Sequence, residues 1–358
     1  VNARAFTSIA LVAALALACS RTHAPASPSE VAAQNLGAGS ILAQAPILDR
    51  MQMAPTTVKH GGTRRLEYHY EIAGVTQTLV YEERVTADGN GRFALDPLGV
   101  RAPSMTTAQR EVFDLVQKNR EGFFFRYRDF GVRKRELMFE NYRIVDLRTN
   151  PVVAGRECVE FEFERLTGAQ SRYHVAVDRE TALVLRSTEL DLTGRVLANA
   201  EFVEFTLDPV VSDAVAWFVP THQGLPLDPI SLSAGGFRFP PMEPRLLPTG
   251  YQHLYSEVVR NEQDAWIRRI YSDGVEHLFL LQKGVRQASE QPTADQTDTR
   301  TTLGSAATDL PPAAPGPYKI RVCAAGPWTL AEFVRDDEQV FVVGKSEDDV
   351  LRLLKSCL

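Results

Sequence analysis

Cysteine is scarce in this chain. Its 358 residues include four, at positions 19, 158, 323 and 357. None stand at Cys-x-x-Cys spacing, and four scattered residues cannot staple a small disulfide scaffold. Cys323 and Cys357 form one conceivable pair if the last helix docks on the strand before it, since spacing alone does not fix disulfide geometry. The seven histidines are dispersed, with no two at metal-ligand spacing. A Gly-x-Ser-x-Gly elbow and a His-Glu-x-x-His helix are both missing. Lysine and arginine number 39 against 45 aspartates and glutamates, which removes the basic footprint of a nucleic-acid binder. No apolar run is long enough to span a bilayer. These absences leave no catalytic constellation and imply neither metal nor cofactor.

One apparent motif dissolves on inspection. Gly344-Lys345-Ser346 stands between an expected strand and an expected helix, as in a phosphate-binding loop. That loop needs a glycine five positions before its last one, and position 339 is glutamine. Ser346 as an N-cap, with Asp349 three residues on, accounts for the triplet. Glu82-Glu83 and Asp336-Asp337-Glu338 are neighbouring acids that read as solvated turn or strand residues, because adjacent strand side chains point apart.

What is present begins with an apolar run, residues 5–18, behind Arg4. It ends in small residues and reads as a signal peptide over 1–18. Ala16-Leu17-Ala18-Cys19 is similar to a lipobox, which makes Cys19 the lipid-attachment residue and the outer membrane the destination. An ordinary signal peptide with an incidental cysteine is the other reading. Residues 19–46 lack aromatics and form a tether. The remaining length suits about two domains of roughly 150 residues: 47–209, then a Pro/Gly-rich linker over 210–246, then 247–358. Residues 284–317 hold five prolines and no aromatic residue, and read as a disordered insertion.

Periodicity is clearest in residues 152–206. Val159, Phe161 and Phe163 alternate with Glu160, Glu162 and Glu164, so the apolar residues share one strand face and the acids the other. Tyr173, Val175 and Val177 repeat the pattern. Residues 178–181 make a turn, Leu183 and Leu185 begin a third strand, and 191–194 turn into a fourth. Alternation slips between Leu185 and Leu190, which predicts a bulge or a strand whose second face is also covered. The result is a four-strand antiparallel meander with one wet and one apolar face. Upstream, an expected helix over 47–51 ends at Pro55, two strands meet near Ala73-Gly74, and Asp88-Gly89-Asn90-Gly91 is a hairpin signal. Thr106 and Gln109 make a capping box. Phe123-Phe124-Phe125 precedes Arg126, Arg128, Arg133, Lys134 and Arg135. That basic cluster is read as a solvated face neutralised by Asp129, Glu136 and Glu140, rather than as a contact for anionic head groups. Downstream, strands are expected at 255–260, 265–271, 275–282, 319–323, 328–335 and 340–343, closed by a helix whose Val350, Leu353 and Leu354 face the sheet.

Val153 to Glu157, Arg172-Tyr173, Val177 to Thr181, Leu183 to Leu185 and Gly194 to Leu197 together resemble the MucB/RseB periplasmic regulators. Tyr271-Ser272-Asp273-Gly274 resembles their C-terminal domain. Where that family usually has glycine after the turn threonine, this chain has Ala182. The resemblance implies a mostly β (α+β) fold: a LolA-like half-open antiparallel barrel with helices, then a small antiparallel sheet with one helix. It also implies an exported regulator, not an enzyme. Such a regulator binds the periplasmic part of a membrane anti-sigma factor and responds to envelope lipid. Phe161, Phe163, Tyr173, Val175, Val177, Leu183 and Leu185 are then candidates to line an apolar lipid cavity, a filled core being the alternative, since alternation tells which face is covered and not by what. A LolA/LolB-like lipoprotein carrier or acceptor is the rival function. It gains from Cys19 and loses from the second domain.

Acylation of Cys19 is testable directly. Each buried acyl CH₂ contributes about 0.8 kcal/mol, so several chains anchor a protein firmly. The wild-type chain should sediment with membranes and Cys19→Ser should stay in the soluble fraction. Equal solubility would remove the lipid anchor.

Overall fold

The alternation at residues 156–206 folds as it predicts. The computed structural model describes residues 41–72, 75–100, 129–168, 171–210, 225–234, 237, 239–260, 265–284, 320–325, 328–335 and 338–358. The signal and Cys19, the capping box, the Phe123–Phe125 run with Arg126 and Arg128, and nearly all of the expected insertion lie outside them. No described helix is long and apolar enough to cross a membrane.

The chain enters through α1 (Ile41–Arg50) and the short α2 (Ala54–Thr57). The expected helix thus starts earlier and includes Pro46. Pro55 does not end it but opens α2, where a missing N–H costs nothing. Arg50 closes α1, its Nη1 donating to the Glu180 carbonyl at 2.7 Å. Then come β1 (Lys59–Ile72), β2 (Val75–Asp88) and β3 (Phe93–Val100), with Asp88 Oδ1 accepting from the Asn90 and Arg92 amides at the expected hairpin. After α3 (Arg135–Asn141) follow β4 (Tyr142–Asp146), β5 (Val152–Val153), β6 (Arg156–Arg165), β7 (Ser171–Asp178), β8 (Val184–Asp191) and β9 (Val196–Thr206). They form an open antiparallel sheet in the order β3-β2-β1-β9-β8-β7-β6-β4, with β5 paired to β6.

Within the β6–β9 meander register shifts at Ala176/Val177, where Leu185 is the extra residue of β8, and at Glu189/Leu190, where Leu197 is the extra residue of β9. β8 runs in regular register with β7 from Arg186 to Asp191, so Leu190 is buried on the face opposite Ser187, and the slip read from the sequence marks a strand with both faces covered. Asp178 builds the β7–β8 turn by accepting from the Thr181 amide at 3.0 Å. Ala182 takes φ +62 there, the left-handed conformation a glycine would adopt without strain. The three acids of β6 lie on the outer face as expected. Glu160 pairs with Arg186 at 2.8 Å, Glu162 with His174 at 3.0 Å, and Glu164 with Arg143. The inner face packs Phe161 and Phe163 against Leu48 of α1, Met51 just after it, Met138 of α3, and Phe130, whose ring centroid is 4.7 Å from that of Phe163.

The second sheet begins inside the expected linker. β10 (Leu225–Pro226) pairs with β11 (Gln252–Arg260), and α4 (Pro229–Ala234) follows β10. Met242 is buried, its N–H donating to Gln282 Oε1 at 2.7 Å. β12 (Ala265–Ser272), β13 (His277–Gly284), β14 (Arg321–Ala325), β15 (Trp328–Arg335) and β16 (Glu338–Gly344) complete the order β10-β11-β12-β13-β16-β15-β14. α5 (Glu347–Ser356) covers one face, burying Val350, Leu353 and Leu354 on Leu278, Leu280 and Phe333. Trp266, Phe279, Trp328 and Phe341 form the opposite face. Ser346 caps α5, its Oγ accepting from the Asp349 amide. Cys357 is a free, buried thiol, so the Cys323–Cys357 pairing is not formed.

Two acids depart from the solvated reading. Glu83 is 1 % exposed and held by Arg64. Glu338 is equally buried, accepting from Gln282 and pairing with Arg335 at 3.0 Å. Each lies in a strand that turns its carboxylate toward a cross-strand donor, which a local reading of adjacent charges does not reveal. Arg135 of the basic cluster pairs with Asp49 at 2.8 Å and with Glu136.

His60, at the start of β1, yields a pH test. Its ring is 7 % exposed and stacks on Phe205, with Nδ1 2.8 Å from the Val58 carbonyl. Burial holds its pKa below the ordinary 6.5, the Val58 contact only partly opposing. The unfolded chain therefore binds the proton better, so this contribution is intact above pH 6.5 and is lost as pH falls below it. Urea denaturation at pH 7.5 and 5.5 should show the loss, and His60→Phe should abolish that part of the slope.

Candidate functional site

The two sheets meet at the turn joining β12 to β13, residues 272–276. Gly274 makes this turn possible. Its φ is +106, and a Cβ there would stand 2.2 Å from the Met138 amide nitrogen, so only glycine lets the turn lie on the start of α3. The Gly274 carbonyl accepts from the amides of Arg133 (2.7 Å) and Lys134 (3.2 Å). Val275 enters the first sheet's core, the one described residue of the second sheet to do so. The remaining described contacts of this seam are mostly polar.

Arg165, at the end of β6, is the first anchor. Its guanidinium donates to Asp349 Oδ2 (2.6 Å) and the Thr249 carbonyl (2.7 Å), stands 3.2 Å from Asp273 Oδ2, and lies over the Tyr251 ring. Tyr142 donates to Asp273 at 2.9 Å, and Asn141 donates to the carbonyls of Gly250 and Asp273. Asp273 Oδ1 also accepts from the amides of Val275 and Glu276. Burial pushes the Asp273 carboxyl up to about 6, although Arg165 and the two amides pull the other way. Burial opposes the charge of Arg165, but Tyr251, Asp273 and Asp349 outweigh it and hold the guanidinium above its ordinary pKa.

Lys345 is the second anchor. Its Nζ is 3.3 Å from each of Glu189 Oε2, Glu276 Oε1 and the Tyr173 hydroxyl. The Tyr173 hydroxyl donates to Glu276, and Ser171 Oγ donates to the other oxygen of Glu189. Burial works against the ammonium, yet Glu189 and Glu276 keep its pKa above the ordinary lysine value. The lysine of the false phosphate loop is thus an interdomain ion-pair residue. A cavity of about 10 Å³ lies beside it, between Phe130, Tyr173, Ser187 and Ala200, room for about one water.

All seven residues expected to line a lipid cavity converge on the inner face of the first sheet, each 4 % exposed or less. There they pack on one another and on protein side chains. The structure adds Phe130, Ser187, Ala198 and Ala200 to that face, residues not singled out by alternation. Arg165 and Glu276 were equally silent, because charged residues at strand ends carry no period, while Asp273 and Lys345 stood out only as part of a family resemblance and of the discarded phosphate loop. Among the described residues no group of His, Cys, Asp or Glu could hold a metal ion.

Residues 109–220, which include the β6–β9 meander, match the family model described as the MucB/RseB N-terminal domain. No curated protein matches the sequence. Among solved structures the chain is similar to MucB in complex with MucA(peri), at 15% identity over 86% of this chain and 95% of that one, with a TM-score of 0.45. It is similar to the MucA/MucB complex of Pseudomonas aeruginosa, at 17% identity over 86% and 96%, TM-score 0.44. A LolA-superfamily protein from Nitrosomonas europaea matches at 9% identity over 47% and 94%, TM-score 0.20.

The seam sets a stability contrast. Arg165→Ala leaves two buried carboxylates without their cation and should cost about 3–5 kcal/mol in urea denaturation. Arg143→Ala, which breaks an exposed pair with Glu164 on the outer face, should cost about 0–1 kcal/mol.

Proposed function

We propose that the protein is an exported regulator, from the premise that residues 109–220 match the MucB/RseB N-terminal domain model. It binds the periplasmic part of a membrane anti-sigma factor and restrains it. The observation that carries the reading is the family match over the meander. The anti-sigma partner follows from the family resemblance, and the MucB structures in which MucA is present support a partner of that kind. The second sheet, fixed to the first by a buried seam, offers an extended partner a composite surface that a single-domain carrier lacks.

The lipid-responsive half of the reading needs a cavity that opens. Alternate residues of β6, β7 and β8 supply an apolar lining, and Ser187, Ala198 and Ala200 supply slack beside it. An acyl chain would enter by displacing packed side chains there. Linkage then fixes the outcome: a lipid that prefers the free protein weakens the complex by the same factor. A ~100-fold shift requires about 2.7 kcal/mol of differential binding, within reach of partial burial of one chain. The periplasm is the compartment implied, with Cys19 as the anchor. Carriage of lipoproteins is the second reading, favoured by that anchor position alone.

Capture from solubilised membranes tests the two. The full chain should retain a single-pass signalling protein, and lysophosphatidylglycerol should reduce the yield. A fluorescent acyl probe should bind saturably, and Phe163→Glu should weaken it. Recovery of lipoproteins in transit instead would transfer the protein to the carrier class.

A further inference from the structure

Tyr173 belongs to two environments at once. Its ring is part of the first sheet's core, with its centroid 5.2 Å from that of Phe130, which in turn lies 4.7 Å from Phe163. Its hydroxyl belongs to the seam, donating to Glu276 of the second sheet and accepting from Lys345. The ring also lies beneath the Lys345 ammonium at 5.2 Å. The side chain is 4 % exposed, so neither set of contacts is exchanged for water while the seam is closed.

We propose that Tyr173 transmits the state of the first sheet's inner face to the docking of the second sheet, a regulatory step that rests on the restraint reading above. Material that enters the inner face must move the Phe130–Tyr173 pair. The cavity beside Ser187 and Ala200, with room for about one water, lets the ring shift without admitting it whole. A ring displaced that way takes its hydroxyl from Glu276 and Lys345. The Lys345 ammonium and the Glu276 carboxylate then lose a shared partner in a low-dielectric seam, where an incomplete polar set is costly. With Val275 as the one described apolar residue crossing into the first core, little apolar burial compensates. Domains joined through polar surface separate more readily than those joined through a large apolar one. The coupling is reciprocal: a docked seam fixes Tyr173 and keeps the inner face shut. Tyr173 is accordingly a positioning residue for the seam.

Hydrogen exchange on the full chain, without lipid or partner, tests the transmission. The readout is the set of amides at Gly274, Val275 and Glu276, whose acceptors are Ser272 Oγ and Asp273 Oδ1. Tyr173→Phe keeps the ring and removes the hydroxyl. It should speed exchange there at least about tenfold, the weight of one hydrogen bond to a charged group, while β6 amides stay protected. Phe130→Leu should speed the same amides in the wild-type background and add nothing in the Tyr173→Phe background. Should Phe130→Leu unfold the sheet, Phe130→Met carries the same comparison. Unchanged exchange in Tyr173→Phe, or equal loosening by the Phe130 variant in both backgrounds, overturns the proposal. Because exchange needs neither partner nor lipid, its failure leaves membrane capture standing, and a failed capture leaves the exchange result intact.

Discussion

A buried guanidinium holds this molecule together. Arg165 is 9 % exposed and reaches Asp349 at the start of α5, Asp273 in the β12–β13 turn and the Thr249 carbonyl. Arginine suits this position because its planar fork can serve several acceptors at once and its charge survives burial. The rest of the seam depends on it. Asp273 can remain charged inside the protein because Arg165, Tyr142 and two amides face it. The turn that carries Asp273 can dock because Gly274 has no Cβ to strike α3. Such pairs contribute less to net stability than to arrangement, since desolvation offsets much of their attraction. Here they fix which part of the second sheet faces the first.

The division between what was legible in the sequence and what was not follows from the range of the forces involved. Val159 to Glu164 announced their strand because side-chain direction alternates with a period of two, and burial on one face imposes that period on composition. Asp178 and Thr181 announced their turn because the bonds are made within four residues. The second covered face at Leu190 was legible as a break in the same period. Ser346 was legible as a cap for the same local reason. The seam was not. Lys345 meets Glu189 across 156 positions, and Arg165 meets Asp349 across 184. No local pattern encodes such meetings. Glu83 and Glu338 were misread as solvated because their partners, Arg64 and Gln282, belong to other strands.

Ala182 lies between these cases. Its left-handed φ is one that an L-residue adopts at some cost, and the family resemblance leads one to expect glycine there. The side chain is fully buried in the first core. A methyl group that adds packing in the core offsets part of the backbone strain, and Asp178 supplies the bonds that hold the turn closed. The turn is therefore built here around an alanine, without the glycine that would mark it in sequence.

The strand order of the second sheet has a consequence for how it assembles. β11, β12 and β13 form one meander, β14, β15 and β16 another, and β13 meets β16 rather than β14. Each meander can form from near neighbours. Joining them is a separate closure, made across the connection between β13 and β14. The entropy of that closure grows only with the logarithm of the connecting length. The connection can therefore lengthen or shorten with small energetic effect, because the ladder pairings described for both meanders run from strand to strand. In such an arrangement chain continuity sets the speed at which the halves find each other, and complementarity between β13 and β16 sets whether they stay. The sheet behaves as two half-sheets whose covalent link is a matter of local concentration, and variation in that link is decoupled from the fold.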